Sequence, residues 1–218
     1  MIKAAIYDLD DLMVNSITLH EKAWDVLLAT YSLHTSDIPE DLRSSFVGRR
    51  VIDIADEIIS YFHLPVNPKD FYQQRQQIFL KLVADQLQTM PGLVESLELF
   101  RNNGMKIALA SSGMVEYINL VLKKFDIEKF FDIIITGDDV QKGKPDPETY
   151  HIACQKLGLP PTDCLVLEDA TAGIASAKAA GCKCIAIINK FTLSQDLSQA
   201  DLILNSLIEL NLSIINSL

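Results

Sequence analysis

Asp8 and Asp10 stand one residue apart just after the apolar run Lys3 to Tyr7, and two carboxylates at that spacing are the first sign of chemistry in the chain. Residues i and i+2 of a strand share a face, so both acids can enter one crevice. Ser111 follows the run Lys106 to Ala110, Lys144 comes some residues after Ile133 to Thr136, and Glu168 with Asp169 follows Cys164 to Leu167. If these runs are parallel strands, all of these groups meet at one sheet edge. Asp8, Asp10, Glu168 and Asp169 in one pocket repel one another unless neutralised. Hard oxygen donors that leave room for water and a phosphate favour magnesium, and Lys144 adds a further positive charge. Asp8 taken alone reads equally well as a turn residue; the set reads as a site.

Two loops sharpen this. Ser111-Ser112-Gly113 lies where a strand gives way to a helix expected from about Met114, and a hydroxyl with free backbone amides at a helix start binds anions. Taken alone, Ser111 is first an N-cap. In Gly143-Lys144-Pro145-Asp146-Pro147-Glu148, Pro147 suits the first helical position, Asp146 the cap and Glu148 the first turn. Pro145 then stiffens the approach, so Lys144 sits on a restrained loop.

The elements that must position these groups fall into two patterns. From about Ile17 to Leu87 the periodicity is helical, with Leu19, Ala23, Val26 and Leu27 spaced by three and four. Pro39, Gly48, Pro65 and Pro68 divide that stretch into about four helices. After Met90-Pro91-Gly92, helical stretches alternate with the short runs already named, joined by Lys183 to Ile188 and Leu202 to Leu204. That alternation predicts an α/β fold, a parallel sheet with right-handed crossovers. Residues 1–15 and 90–218 are expected to form the core, and 16–89 an all-helical insertion over the carboxyl ends of the strands, where open sheets bind ligands.

Bulk properties exclude several functions. With 218 residues, 49% of them hydrophobic and 22% charged, the chain is a foldable globular protein and not a disordered one. A net charge of −10 with no basic run argues against nucleic acid. No stretch is apolar enough for a bilayer, and Asp8 interrupts the first apolar run early, so a cytoplasmic protein with no membrane partner is expected. Cys154, Cys164, Cys182 and Cys184 read as reduced, buried thiols, not a zinc site.

Asp8-Leu9-Asp10, Ser111, Lys144 and Glu168-Asp169-Ala170-Thr171-Ala172-Gly173 resemble, in order, the four motifs of the haloacid dehalogenase-like phosphatase superfamily. Gly143 to Pro147 and Leu167 to Ile174 are similar to the subgroup holding β-phosphoglucomutase and small sugar phosphatases. The resemblance implies a Rossmann-like three-layer core with a helical cap resembling a four-helix bundle. It implies that Asp8 attacks phosphorus to give an aspartyl-phosphate, and that Asp10 protonates the leaving alcohol and later deprotonates water. It implies magnesium on Asp8, the Asp10 carbonyl and Asp169 with Glu168 close by as a direct or water-mediated ligand, and phosphate oxygens on Ser111, Ser112, Gly113 and Lys144. A small phosphorylated metabolite, a sugar or polyol phosphate, is the implied substrate, and a monomer the expected state. His20, Arg49 and Arg50 are candidate substrate contacts from the insertion, with a packed histidine and a solvated helix face as the plainer readings.

Two positions depart from the family pattern: Asp11 stands where glycine is usual, and Asn15 where aspartate is. Asp11 motivates a reading from another class, a catalytically silent binding module. Mutase-like members resemble this chain but carry a lysine shortly after the second motif, where Met114 stands here, which favours hydrolysis over a sugar phosphomutase.

Overall fold

Runs such as Ala4-Ala5-Ile6-Tyr7 and Cys164-Leu165-Val166-Leu167 have no polar face, and a strand buried on both sides is the conformation that suits them. In the computed structural model, which describes residues 1–44, 46, 51–189 and 195–218, they form one parallel sheet. Its strands are β1 (Ala4–Tyr7), β2 (Lys106–Ala110), β3 (Ile133–Ile135), β4 (Cys164–Glu168), β5 (Lys183–Ile187) and β6 (Leu202–Leu204), in the order β3-β2-β1-β4-β5-β6. β1 therefore lies between β2 and β4. Tyr7 is level with Leu109 on one side and Leu167 on the other, so the residues that follow all three emerge together.

In chain order the helices are α1 (Ile17–Ala29), α2 (Glu40–Ser44), α3 (Val51–Phe62), α4 (Pro68–Gln86), α5 (Leu93–Asn102), α6 (Val115–Lys124), α7 (Glu148–Leu157), α8 (Thr171–Ala179) and α9 (Leu212–Asn216). One sheet face, with Ala4, Ile6, Ala108, Val166 and Cys184, packs against Tyr150, Ala153 and Leu157 of α7 and Ile174 and Ala177 of α8. On the other face Tyr7 meets Phe100 of α5 edge-on and donates its hydroxyl to Ser96. The four cysteines are all buried and free, with Cys154 and Cys182 Sγ 3.6 Å apart in the α7 and α8 face of the core. No helix among the described residues is long and apolar enough to cross a membrane.

The described residues pack as two units, Met1–Asn15 with Gln88–Leu218, and Ser16–Leu87. In the first, the two connecting segments pair with each other: the Asn15 amide donates to the Gln88 carbonyl (3.0 Å), and the Met90 amide to the Met13 carbonyl (2.8 Å). The second is α1 to α4, closed around Trp24, Leu27, Leu28, Ile54, Ile58 and Phe71. Asn67 starts α4, its Oδ1 accepting the amides of Lys69 and Asp70 ahead of a helix whose first residue is proline.

Candidate active site

Asp8 follows β1 directly, and its amide still donates to the Leu167 carbonyl (3.1 Å), so the sheet fixes its backbone. Its Oδ1 lies 2.5 Å from Lys144 Nζ, and the same ammonium reaches Glu168 Oε1 at 2.7 Å and the Ala110 carbonyl at 3.4 Å. The loop after β3 thus delivers one cation to the ends of β1, β2 and β4. Glu148 secures that loop: its carboxylate accepts the amides of Gln141 (3.0 Å) and Lys142 (2.9 Å). α7 begins at Glu148 with Pro147 as its cap residue, one place later than the sequence predicts, while the Asp146 side chain accepts the Glu148 amide (3.1 Å) as a cap would. The Lys144–Pro145 peptide is cis.

Asp8, Glu168 and Asp169 form a buried cluster in which one carboxylate oxygen from each lies within 4.8 Å of the other two. Glu168 Oε1 takes the Lys144 ammonium and the Tyr150 hydroxyl (2.6 Å), and Oε2 takes the amides of Asp169 (3.0 Å) and Ala170 (3.3 Å). The turn into α8 holds this arrangement through Gly173, where any Cβ would collide with the Glu168 carboxylate. Three buried carboxylates against one buried ammonium leave two negative charges. The electrostatics agree. Burial pushes the Asp8 carboxyl up to about 8; Lys144 pulls against that, while Glu168 and Asp10 add to it. Burial, then Glu168, Asp8 and Asp11, push Asp169 well above the carboxylate range. Burial works against the Lys144 ammonium, but Asp8 and Glu168 outweigh it and hold the charge in place. A divalent cation fits this donor set, since oxygen-only ligands and a surplus of two charges match a hard dication.

Asp10 has different company. Its Oδ1 accepts the Tyr117 hydroxyl from α6 at 2.6 Å, and the residue is only half-buried. Asp11, next along, has φ +58°, the left-handed region in which aspartate is among the better-tolerated non-glycine residues. Its amide donates to the Val14 carbonyl (2.7 Å), and its carbonyl accepts Asn189 Nδ2 (2.8 Å). Aspartate therefore makes this turn itself, just past the strand end that carries Asp8.

Ser111 is buried at the end of β2 with its amide on the Ile135 carbonyl (3.1 Å), and its Oγ accepts the Gly113 amide (3.0 Å). α6 starts after Met114, which is the cap residue of a helix whose N-terminus follows the serine turn. Gly137 packs so close to the Ser112 carbonyl that no Cβ would fit between them.

The second unit holds His20 in a packed setting. Its ring stacks on Phe79 with centroids 4.0 Å apart, and Nδ1 lies 2.6 Å from Arg75 Nη2. An arginine only donates, so Nδ1 is the acceptor and the proton sits on Nε2. Burial, then the Arg75 charge, hold this imidazole well below the usual histidine range and so neutral. Arg49 and Arg50 lie outside the described residues.

Three contributors to the site escaped the sequence reading: Tyr117, Tyr150 and Asn189. Asn189 follows the fifth apolar run, and its place just past a strand end, like that of Asp8 and Ser111, is the signal the sequence carries for it. Tyr117 and Tyr150 sit inside amphipathic helices as ordinary core residues, 107 and 18 positions from the acids they touch. No local pattern marks them.

A family model described as haloacid dehalogenase-like hydrolase matches residues 5–187. Validoxylamine A 7'-phosphate phosphatase of Streptomyces hygroscopicus subsp. limoneus is 29% identical over 222 residues, 96% of this chain and 96% of that protein. Hexitol phosphatase A of Escherichia coli (strain K12) is 28% identical over 214 residues, 94% and 91% of the two chains. Among solved structures, a CbbY mutant from Rhodobacter sphaeroides in complex with xylulose-(1,5)bisphosphate has the same fold, with a TM-score of 0.84 at 24% identity over 97% of each chain.

Proposed function

Because the chain belongs to the haloacid dehalogenase-like hydrolases, we propose that it is a magnesium-dependent phosphatase that hydrolyses a small sugar or polyol phosphate through a phosphorylated Asp8. The observation that carries this reading is the unequal treatment of two acids two residues apart. Asp8 lies against a buried ammonium among other carboxylates, and Asp10 on a neutral phenol. Paired carboxyl groups in different environments take different roles. Asp8 attacks phosphorus as the P–O bond to the alcohol breaks, and Asp10 gives its proton to the departing oxygen. Water then attacks the aspartyl-phosphate, Asp10 takes a proton from it, and phosphate leaves with the Asp8 carboxylate restored.

Asp8, Asp169 and the Asp10 carbonyl would hold the magnesium, with Glu168 beside them contributing charge. When bound, the ion supplies electrophilic stabilisation of the transferring phosphoryl group. Lys144 and the Ser111 turn, with its Ser112 and Gly113 amides, bind the non-bridging oxygens and stabilise charge as it shifts. The names of two relatives, a hexitol phosphatase and a phosphatase of phosphorylated carbohydrates, support a polyhydroxylated substrate. Met114, a neutral side chain after the second motif, supports hydrolysis over transfer between two sugar positions.

The test is release of inorganic phosphate from p-nitrophenyl phosphate and from a panel of hexose, pentose and polyol monophosphates. We expect activity with magnesium, none with a chelator, and a loss of at least about 1000-fold for Asp8→Asn, since removal of a nucleophile leaves only binding and electrostatics. Turnover by Asp8→Asn at the wild-type rate would sink the covalent route. Isomerised sugar phosphate without free phosphate would point to a mutase instead.

A further inference from the structure

The ends of β1, β2 and β4 and the loop after β3 supply the carboxylates, the serine turn and the lysine used above. The end of β5 supplies one more that the reaction leaves without a part. Asn189, two residues past β5, is 6% exposed, and its Nδ2 donates to the Asp11 carbonyl at 2.8 Å and to Asp169 Oδ2 at 3.2 Å. We propose that Asn189 is a positioning residue for the cation site, orienting the Asp169 carboxylate and tying it to the loop that carries Asp10. This rests on the reading of Asp169 as a magnesium ligand.

The chemistry of the group suits the task. One carboxamide nitrogen carries two N–H donors in a fixed fork, and here the fork spans two acceptors from distant parts of the chain. The shorter bond fixes the amide to the backbone just after Asp10. The longer one then holds one oxygen of Asp169, which leaves the other oxygen free for the ion. Asp169 sits among Glu168, Asp8 and Asp11, which repel it, so a donor is needed to define its rotamer. A lysine in this place would compete with the ion, and a hydroxyl has one proton where two are used. Because Asn189 reaches a ligand carboxylate and a backbone carbonyl, its removal should fall on the affinity for magnesium and not on the chemical step. Partners of this kind behind a metal ligand are worth roughly 10–100-fold in metal affinity.

Calorimetric titration of magnesium into metal-free wild type, Asn189→Ala and Asn189→Leu tests this, the leucine preserving volume without the donor. Both variants should bind magnesium about 10–100-fold more weakly. The magnesium concentration for half-maximal hydrolysis should rise by the same factor, and the rate at saturating magnesium should return near wild type. Folded variants with wild-type affinity would overturn the proposal while leaving the phosphatase reading intact. A wild type that takes up no magnesium would overturn both. If either variant fails to fold, the Asn189 side-chain amide resonances of the wild type decide: they must shift in step with the same titration, and resonances that stay fixed overturn the assignment.

Discussion

Glu168 presents two oxygens to four donors, Lys144 and Tyr150 on one and the amides of Asp169 and Ala170 on the other. A carboxylate offers about four lone-pair positions, so these are filled, and Glu168 serves as a buried anion that holds Lys144 in place. In the proposed magnesium site, direct coordination would then fall to Asp8, Asp169 and the Asp10 carbonyl. At Asp10 the Tyr117 hydroxyl is an orienting contact. Tyr117→Phe removes that bond and keeps the ring, and a hydrogen bond of this kind is worth about 0.5–1.5 kcal/mol to a neutral partner and about 1.5–3 kcal/mol to a charged one. Part of that should appear in kcat, a fall of about 10-fold with KM little changed, for which steady-state kinetics on the best substrate of the panel is the measurement. An unaltered kcat would mean that Asp10 orients itself without the phenol.

At the scale of elements, Asp132 fastens the start of β3 to its neighbours: its carboxylate accepts the Ile107 amide (2.8 Å) and pairs with Arg101 of α5 (3.0 Å). Burial alone would raise its pKa, but the Ile107 amide and then Arg101 hold it below the usual carboxylate value. A lowered folded pKa gives stability that is present above the unfolded pKa and lost as the pH falls through the folded one. Asp132→Asn should therefore melt below wild type near neutral pH, and the gap should close under acid conditions. A gap independent of pH, followed by circular dichroism, would remove the ionic contribution. The central strands were legible because a strand covered on both faces has to be an unbroken apolar run, and the two edge strands because they stay apolar though part-exposed. Lys106–Ala110 and Leu202–Leu204 match the expected bounds, and β3 ends one residue early at Ile135. There Thr136 leaves the ladder to cap the next turn, its Oγ1 accepting the Asp138 amide at 3.3 Å and its own amide held by Asp139 at 2.9 Å. Lys144 was legible as a restrained loop residue, but not its clamp: Glu148 read as a first-turn acid, and its bonds back to 141 and 142 depend on a loop path that spacing does not encode.

For the whole molecule, the excess negative charge is both general, at −10, and local, in the cluster of Asp8, Glu168 and Asp169. An ion that binds only the folded site stabilises by about 2.7 kcal/mol at a hundredfold excess over its Kd, which for a chain of this size is a rise of roughly 5–10 °C in Tm. Magnesium should give that rise by calorimetric scanning, chelation should reverse it, and sodium chloride at equal ionic strength should not reproduce it. An equal effect of sodium chloride would reduce the cluster to general screening. The pairing of Met13–Asn15 with Gln88–Met90 carries a different consequence. The chain leaves the sheet unit and returns to it one hydrogen bond apart, so the ends that any inserted segment must join are already adjacent. Closing a loop costs little more as it lengthens. This rung is therefore a splice point: segments of other lengths and sequences can replace 16–87 there while the strand ends that carry Asp8, Ser111 and Glu168 stay the same.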